Sequence, residues 1–305
     1  MLPTGEQFEI RAGDVHAIVT EVGAGLRALS HGGRHLIETF DEDARPARGM
    51  GAVLVPWPNR TAHGRWQWNG AEQQLALTEP AAGNAIHGLL RHVVYQVGER
   101  SDDAIALVAV IPPQPGWPVA LATGIRYAVD GSADGGGLTV THTVRNVGTE
   151  PVPFGVGAHP YLRAGDALVD DCVLTVSAAT TIPLDGGLPT GPATAVPAEL
   201  DLRAGRPVKE LDLDNAFGGA APADGDTHVR HRLAAPDGTT ELWADPVFGY
   251  VQVFTPPDLV GRGRAVAVEP MTCPPDALNT GDGLITLAPD AIWSGSWGIR
   301  QLEGT

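Results

Sequence analysis

Apolar and polar residues alternate along much of this chain with a period of two. In Gly137-Leu138-Thr139-Val140-Thr141-His142-Thr143-Val144, one face carries Leu138, Val140, His142 and Val144; the other carries three threonines. Such alternation predicts a half-buried strand. Residues 125–129 alternate as well, and the turn-rich Asp130-Gly131-Ser132-Ala133-Asp134-Gly135-Gly136 between the two runs predicts a hairpin. Asn69-Gly70 after Arg65-Trp66-Gln67-Trp68 predicts another, because both turn residues tolerate the positive φ of a type I′ turn. Further strands are expected at 16–22, 35–39, 104–111, 172–177, 240–244, 250–254, 265–268 and 284–287. No amphipathic helical stretch exceeds about three turns. Many strands without alternating helices favour an all-β chain, built as a large antiparallel β-sandwich. Residues 182–207 are rich in Pro, Gly, Ala and Asp. They are expected to form a long surface loop and not a domain linker, because strand patterns of one type flank them. The expected organisation is a single domain over residues 1–305, with no internal repeat.

Composition narrows the function more than the fold. Gly (39) and Pro (26) are frequent among 305 residues, which fits many short elements joined by turns. A formal charge of −16 repels a phosphate backbone, so nucleic acid is a poor partner. Cys172 and Cys273 form no spaced cluster and suit a reducing compartment. The segment MLPTGEQFEI has no basic region followed by an apolar run, and no stretch reaches the ~20 apolar residues of a membrane span. A cytoplasmic protein without membrane contact is expected.

Common chemical signatures are missing. No Gly-Lys-Ser/Thr loop offers a phosphate cradle, and Gly155-Val156-Gly157 lacks a third glycine and a following helix. His87 and His92 are five apart, on opposite faces of a strand, so no metal site is expected. What remains is a set of polar residues among apolar and Pro/Gly neighbours: Asn59, Arg60, His87, His159, Asp214 and Glu269. Taken singly, each is more often structural than functional. A histidine beside glycine is usually a satisfied turn residue, an Asp before Asn usually a turn acceptor, and a Glu at a strand end usually solvated.

Together, these residues sit in segments that resemble one family. Asn59-Arg60 with Gly64-Arg65, Asn84-Ala85-Ile86-His87-Gly88, Ala158-His159-Pro160-Tyr161, Leu213-Asp214-Asn215-Ala216-Phe217 and Val268-Glu269-Pro270-Met271-Thr272-Cys273 through Gly281 look like the aldose 1-epimerases, or galactose mutarotase-like proteins, in the family order. Trp297-Gly298-Ile299 resembles the family's last strand, so the likeness runs from Gly13 to Ile299. It implies the galactose mutarotase-like supersandwich. It also implies Glu269 as general base and His159 as general acid, with Arg60, His87, Asp214 and Asn59 binding the sugar. The implied substrate is a free aldohexose such as galactose or glucose, turned over without metal or cofactor by a monomer or homodimer. Two segments depart from the pattern, Asn215 after Asp214 and Thr61-Ala62-His63 after Arg60. They bear on substrate preference and leave the reacting groups in place.

Mutarotation explains these residue types. A base takes the proton of the anomeric hydroxyl while an acid protonates the ring oxygen; the aldehyde then rotates and recloses. With ordinary pKa values near ~4.3 and ~6.5, Glu is ready as base at neutral pH, and His needs its pKa held up by carboxylates such as Asp214 or Glu269. Trp57 and Trp243 are candidates to offer a ring face to the sugar, or else to pack in the core. Two rival readings are an epimerase of a hexose 6-phosphate or modified sugar, which needs a basic pocket, and a non-catalytic sugar-binding protein on the same fold.

Overall fold

A computed structural model of the chain describes residues 2–132, 136–236 and 238–302. Among these, the only α-helix is the single turn Ala277–Thr280. The largest sheet has nine antiparallel strands, the hairpin Leu121–Asp130 and Gly137–Asn146 being its third and fourth. Leu138, Val140, His142 and Val144 are buried there, and the three threonines between them are half-buried, as the alternation predicts. The tip of its turn, residues 133–135, lies outside the described residues. A second sheet of eight strands carries Asp214–Gly218, Tyr250–Phe254, Val266–Met271 and Gly157–Ala158 as consecutive neighbours. A four-stranded sheet begins the chain, with strands Gln7–Ala12, Val15–Thr20, Leu26–His31 and Arg34–His35. One hydrophobic core joins all three sheets, drawing Ile10 and Val19 from the first, Val140 and Ile299 from the nine-stranded one, and Val253 and Val268 from the eight-stranded one. This is an all-β, galactose mutarotase-like sandwich.

Several expected elements need correction. Residues 35–39 do not form a strand: only Arg34–His35 pairs, and Ile37 makes one isolated bridge to Leu162. The stretch 182–207 is exposed or half-buried except at Ile182 and Leu202, and it is pinned to both sheets. Thr194–Ala195 pairs with Thr180–Thr181, and Arg206–Pro207 pairs with Val173–Leu174. Asn69 (φ 46°) and Gly70 (φ 77°) do make the two-residue hairpin turn.

The strand Val266–Met271 dictates where the polar residues gather. Every residue in it is buried, because it is an inner strand covered on both faces. Val266 and Val268 point into the main core. Ala267 points the other way, into a small second cluster with Phe40, Met50 and Tyr161. Period two therefore sends Glu269 to that second face, where loops cover the sheet. The expected strand 265–268 is corrected accordingly: it runs from Val266 to Met271, and Glu269, expected to end the apolar run, lies inside it at 2% exposure.

Glycines let the chain pack closely around this face. A Cβ on Gly155 would collide with Cys273 Sγ, and one on Gly88 (φ 73°) with the Val55 carbonyl. Gly88 follows His87 and bridges Val55, so it fixes the loop that carries the histidine. Gly88→Ala is expected to lower folding stability by more than about 1 kcal/mol, because strain and overlap coincide there. Urea denaturation checks this; an unchanged midpoint would contradict the close packing.

Candidate active site

Beneath the loops over the eight-stranded sheet lies a cleft of about 360 Å³. Its lining brings together all six residues singled out in the sequence: Asn59, Arg60, His87, His159, Asp214 and Glu269. They come from five separated stretches of chain. Glu269 sits opposite Gln252 on the neighbouring strand, and Asp214 opposite Phe254 on the same strand as Gln252. His159 sits between the short strands Gly157–Ala158 and Tyr161–Leu162, its backbone held by N–H donation to Ala52 O and acceptance from Gly51 N.

The segment after Glu269 acts as a set of ties. Thr272 Oγ1 accepts the Val156 N–H at 2.9 Å, fixing the chain that leads to His159. Asp276 Oδ1 accepts the Ala62 N–H at 2.8 Å, and its own N–H donates to Arg60 O. One stretch thus aligns the base candidate, the acid candidate and the arginine loop.

His159 Nε2 lies 3.3 Å from Glu269 Oε1, and both side chains are nearly inaccessible, at 6% and 3%. The His159 ring stacks on Tyr161 and meets His87 edge-on at 5.5 Å between centroids. Gly49 (φ 77°) packs against the same ring; a Cβ there would come 2.7 Å from it. Glu269 Oε2 and His159 Nδ1 are buried without a protein partner among the described residues. Buried polar atoms left open in this way mark a place where a ligand completes the bonding.

Burial governs the charges. It pushes Glu269 well above the usual carboxylate range, and nearby Asp214 pushes it further while Arg60 opposes. Burial pushes His159 down to about 3, with Arg91 acting in the same direction. Against the expectation that neighbouring carboxylates hold His159 up, burial is the largest influence on it and acts downward. Desolvation disfavours the charged form of each group.

His87 has a fixed tautomer. The Asn59 N–H donates to His87 Nδ1 at 3.1 Å. Burial keeps the ring neutral, so Nε2 carries the proton and acts as a donor. This also bears on metals. The donor groups of His87, His159 and Glu269 lie within 4.8 Å of one another, close enough for a divalent ion. Coordination through His87 Nε2 would move its proton to Nδ1, against the Asn59 N–H. That would set two N–H groups against each other. Both Asn59 (φ 56°) and His87 (φ 62°) occupy the left-handed region, and such strain gathers at functional sites.

Sequence patterns do not reveal the residues that hold the others. Gln252, 1% exposed, donates to Asp214 Oδ1 at 2.7 Å and accepts from Asn59 Nδ2 at 3.1 Å. Glu79 binds Arg60 with two bonds of 2.8 and 2.9 Å, and Arg60 lies 3.9 Å from Asp214. Nothing local marks Gln252 in Tyr250-Val251-Gln252-Val253-Phe254, apart from a polar residue inside an apolar strand. Trp57 and Trp243 do not line the cleft. Trp57 packs on Trp117 in the core, and Trp243 meets His228 elsewhere. Phe254 is the aromatic in the lining.

Fold and cleft together define a galactose mutarotase-like β-sandwich, and solved structures of that kind superpose on it. A GalM/aldose epimerase homologue from C. elegans matches with a TM-score of 0.85 at 18% identity, over 98% of this chain and 99% of that one. A putative aldose 1-epimerase from Escherichia coli K12 matches with a TM-score of 0.82 at 23% identity, over 98% and 99%. In sequence, the Escherichia coli (strain K12) protein YihR is 33% identical over 304 residues, covering 98% of this chain and 95% of its own length. The family model for aldose 1-epimerase matches residues 6–300: the chain belongs to the aldose 1-epimerase family and is an isomerase of the mutarotase kind.

The raised pKa of Glu269 has a consequence for stability. Between the ordinary carboxylate pKa of the unfolded chain and the higher folded value, the folded state holds one more proton. Stability from this group is therefore present at low pH and falls as pH rises. Glu269→Gln removes that loss, so its advantage over the parent should grow from about pH 5 to about pH 8, reaching about 2 °C or more in Tm. Melts at both pH values check this. A variant less stable than the parent at the higher pH would contradict the upward shift of Glu269.

Proposed function

We propose that this protein interconverts the α and β anomers of a free aldose, aldohexoses such as galactose or glucose being the simplest substrates. The supporting observation is the buried His159–Glu269 pair at 3.3 Å, set in a polar cleft of sugar size. One proton on two sites makes one member the acid and the other the base, which is what reversible hemiacetal opening needs. With the sugar bound, the proton sits on His159 and Glu269 is the carboxylate. Glu269 takes the proton from the anomeric hydroxyl, the C1–O5 bond breaks, C1=O1 forms, and His159 gives its proton to O5. The pair is then neutral, in the state that burial prefers, while the aldehyde turns about C1–C2. Closure on the other face runs the same transfers backwards. Neutral His87 donates from Nε2 toward the ring oxygen, and Arg60, Asp214 and Asn59 hold hydroxyls.

A purely sugar-binding protein gains nothing from burying an acid beside an imidazole, so catalysis is the better reading. No helix among the described residues is long and apolar enough to cross a membrane. Both cysteines are buried, which suits a reducing compartment. A monomer or homodimer acting on a small sugar, without nucleic acid or cofactor, fits these features.

Anomer exchange measured by NMR or polarimetry tests the proposal. Glu269→Gln and His159→Asn should each lower the rate by about 10²-fold or more. No acceleration over buffer on any aldose would overturn the enzyme reading; an unaffected Glu269→Gln rate would overturn the base assignment.

A further inference from the structure

Arg60 is gripped from two sides. Glu79 binds its Nε and Nη2 with bonds of 2.8 and 2.9 Å. Gly187 (φ 79°), in the turn between Leu184–Asp185 and Leu188–Pro189, lies against Nη1, and a Cβ there would collide with it. Nη1 faces Asp214 Oδ2 at 3.9 Å, too far for a hydrogen bond. Asp214 is itself held, since Gln252 donates to its other oxygen at 2.7 Å. Glu79 stands on a fixed backbone. Its N–H donates to the Asn84 carbonyl, its carbonyl accepts from Asn84 N, and the preceding Thr78 Oγ1 bonds both backbone groups of Ile86. Ile86 pairs in turn with Arg60. Glu79 also acts on Arg91, which donates to the Ile86 carbonyl at 3.2 Å. Of the other two acids in the lining, Asp214 and Glu269, only Asp214 is within ion-pair distance of Arg60. An arginine fork pairs readily with a carboxylate. Arg60 and Asp214 nevertheless stand apart, because Glu79 occupies the fork.

We propose that Glu79 is a positioning residue: it holds the Arg60 guanidinium off Asp214 and so keeps the gap between them open for one sugar hydroxyl. This rests on the mutarotase reading, in which Arg60 and Asp214 hold hydroxyls. Two hydrogen bonds of ~2.8 Å that meet at roughly a right angle span about the observed separation. A hydroxyl in the gap accepts from Arg60 Nη1 and donates to Asp214 Oδ2. Without Glu79, the arginine turns to Asp214 and closes the gap with a direct ion pair. The sugar must then break that pair to bind. Chemistry at C1 belongs to Glu269 and His159, so the loss falls on binding and not on turnover.

The test measures anomer exchange, as acceleration over buffer, for glucose, galactose and their monodeoxy analogues. The bridging hydroxyl is the one whose removal costs the parent about 10-fold or more in kcat/KM and costs Asp214→Asn nothing further. Glu79→Gln should raise KM by about 10-fold and keep kcat within about threefold of the parent. The penalty for removing that same hydroxyl should fall below about twofold in Glu79→Gln. In the parent protein, which needs no variant to fold, the Arg60 Nε proton should stay protected from exchange by NMR when sugar saturates the cleft, because the bonds to Glu79 persist. Three results would overturn the positioning role and leave the mutarotase reading intact: a parent-like KM in Glu79→Gln, an Arg60 Nε proton that loses protection on sugar binding, or a penalty lost at a different hydroxyl from that in Asp214→Asn. The last would mean that Glu79 touches the sugar itself. No acceleration of any sugar by the parent would overturn both.

Discussion

A buried carboxyl group held against a buried imidazole is the constraint around which this molecule is built. Glu269 and His159 are 3.3 Å apart with almost no access to water. Neither bears its charge comfortably there, and each has one polar atom left open. Such a pair exists only if the surrounding structure forces it. The force comes from the inner strand Val266–Met271, whose Val266 and Val268 are locked into the main core. With those two valines inside, the pleat leaves Glu269 no choice of face. On the other side, Tyr161 and Gly49 close on the imidazole and keep it from turning away.

The cleft is correspondingly a place of stored cost. Three non-glycine residues of its lining, Arg48, Asn59 and His87, sit in the left-handed region. Gln252 is buried to serve two neighbours at once. These features weaken the empty protein and orient donors before a ligand arrives, a common exchange of stability for function. The continuous core spanning three sheets supplies the rigidity that the arrangement needs. The nine-stranded sheet contributes to that core and gives none of the six sugar-site candidates.

Much of the fold is legible in the sequence because alternation is a local signal. Tyr250–Phe254 and Ala104–Ile111 match their expected spans, and Asn69-Gly70 turns as its residues dictate. The site candidates are legible through motif resemblance, and the structure gathers all six. What the sequence does not carry is environment. Glu269 reads as a strand-end acid, since Pro270 follows it, yet sheet and loops bury it from both sides. Burial, the largest influence on Glu269 (upward) and on His159 (downward), comes from distant segments and leaves no local signal. Gln252 and Glu79 acquire their importance only from partners far away in the chain, at Asn59 and Asp214 for one and at Arg60 for the other.

The most direct test of the shared proton is a titration of the empty protein by NMR, following the carboxyl carbon of Glu269 and the ring nitrogens of His159 together. At neutral pH the carboxyl carbon should report a protonated acid and the ring a neutral imidazole. A carboxylate beside an imidazolium at that pH would contradict a pair governed by burial.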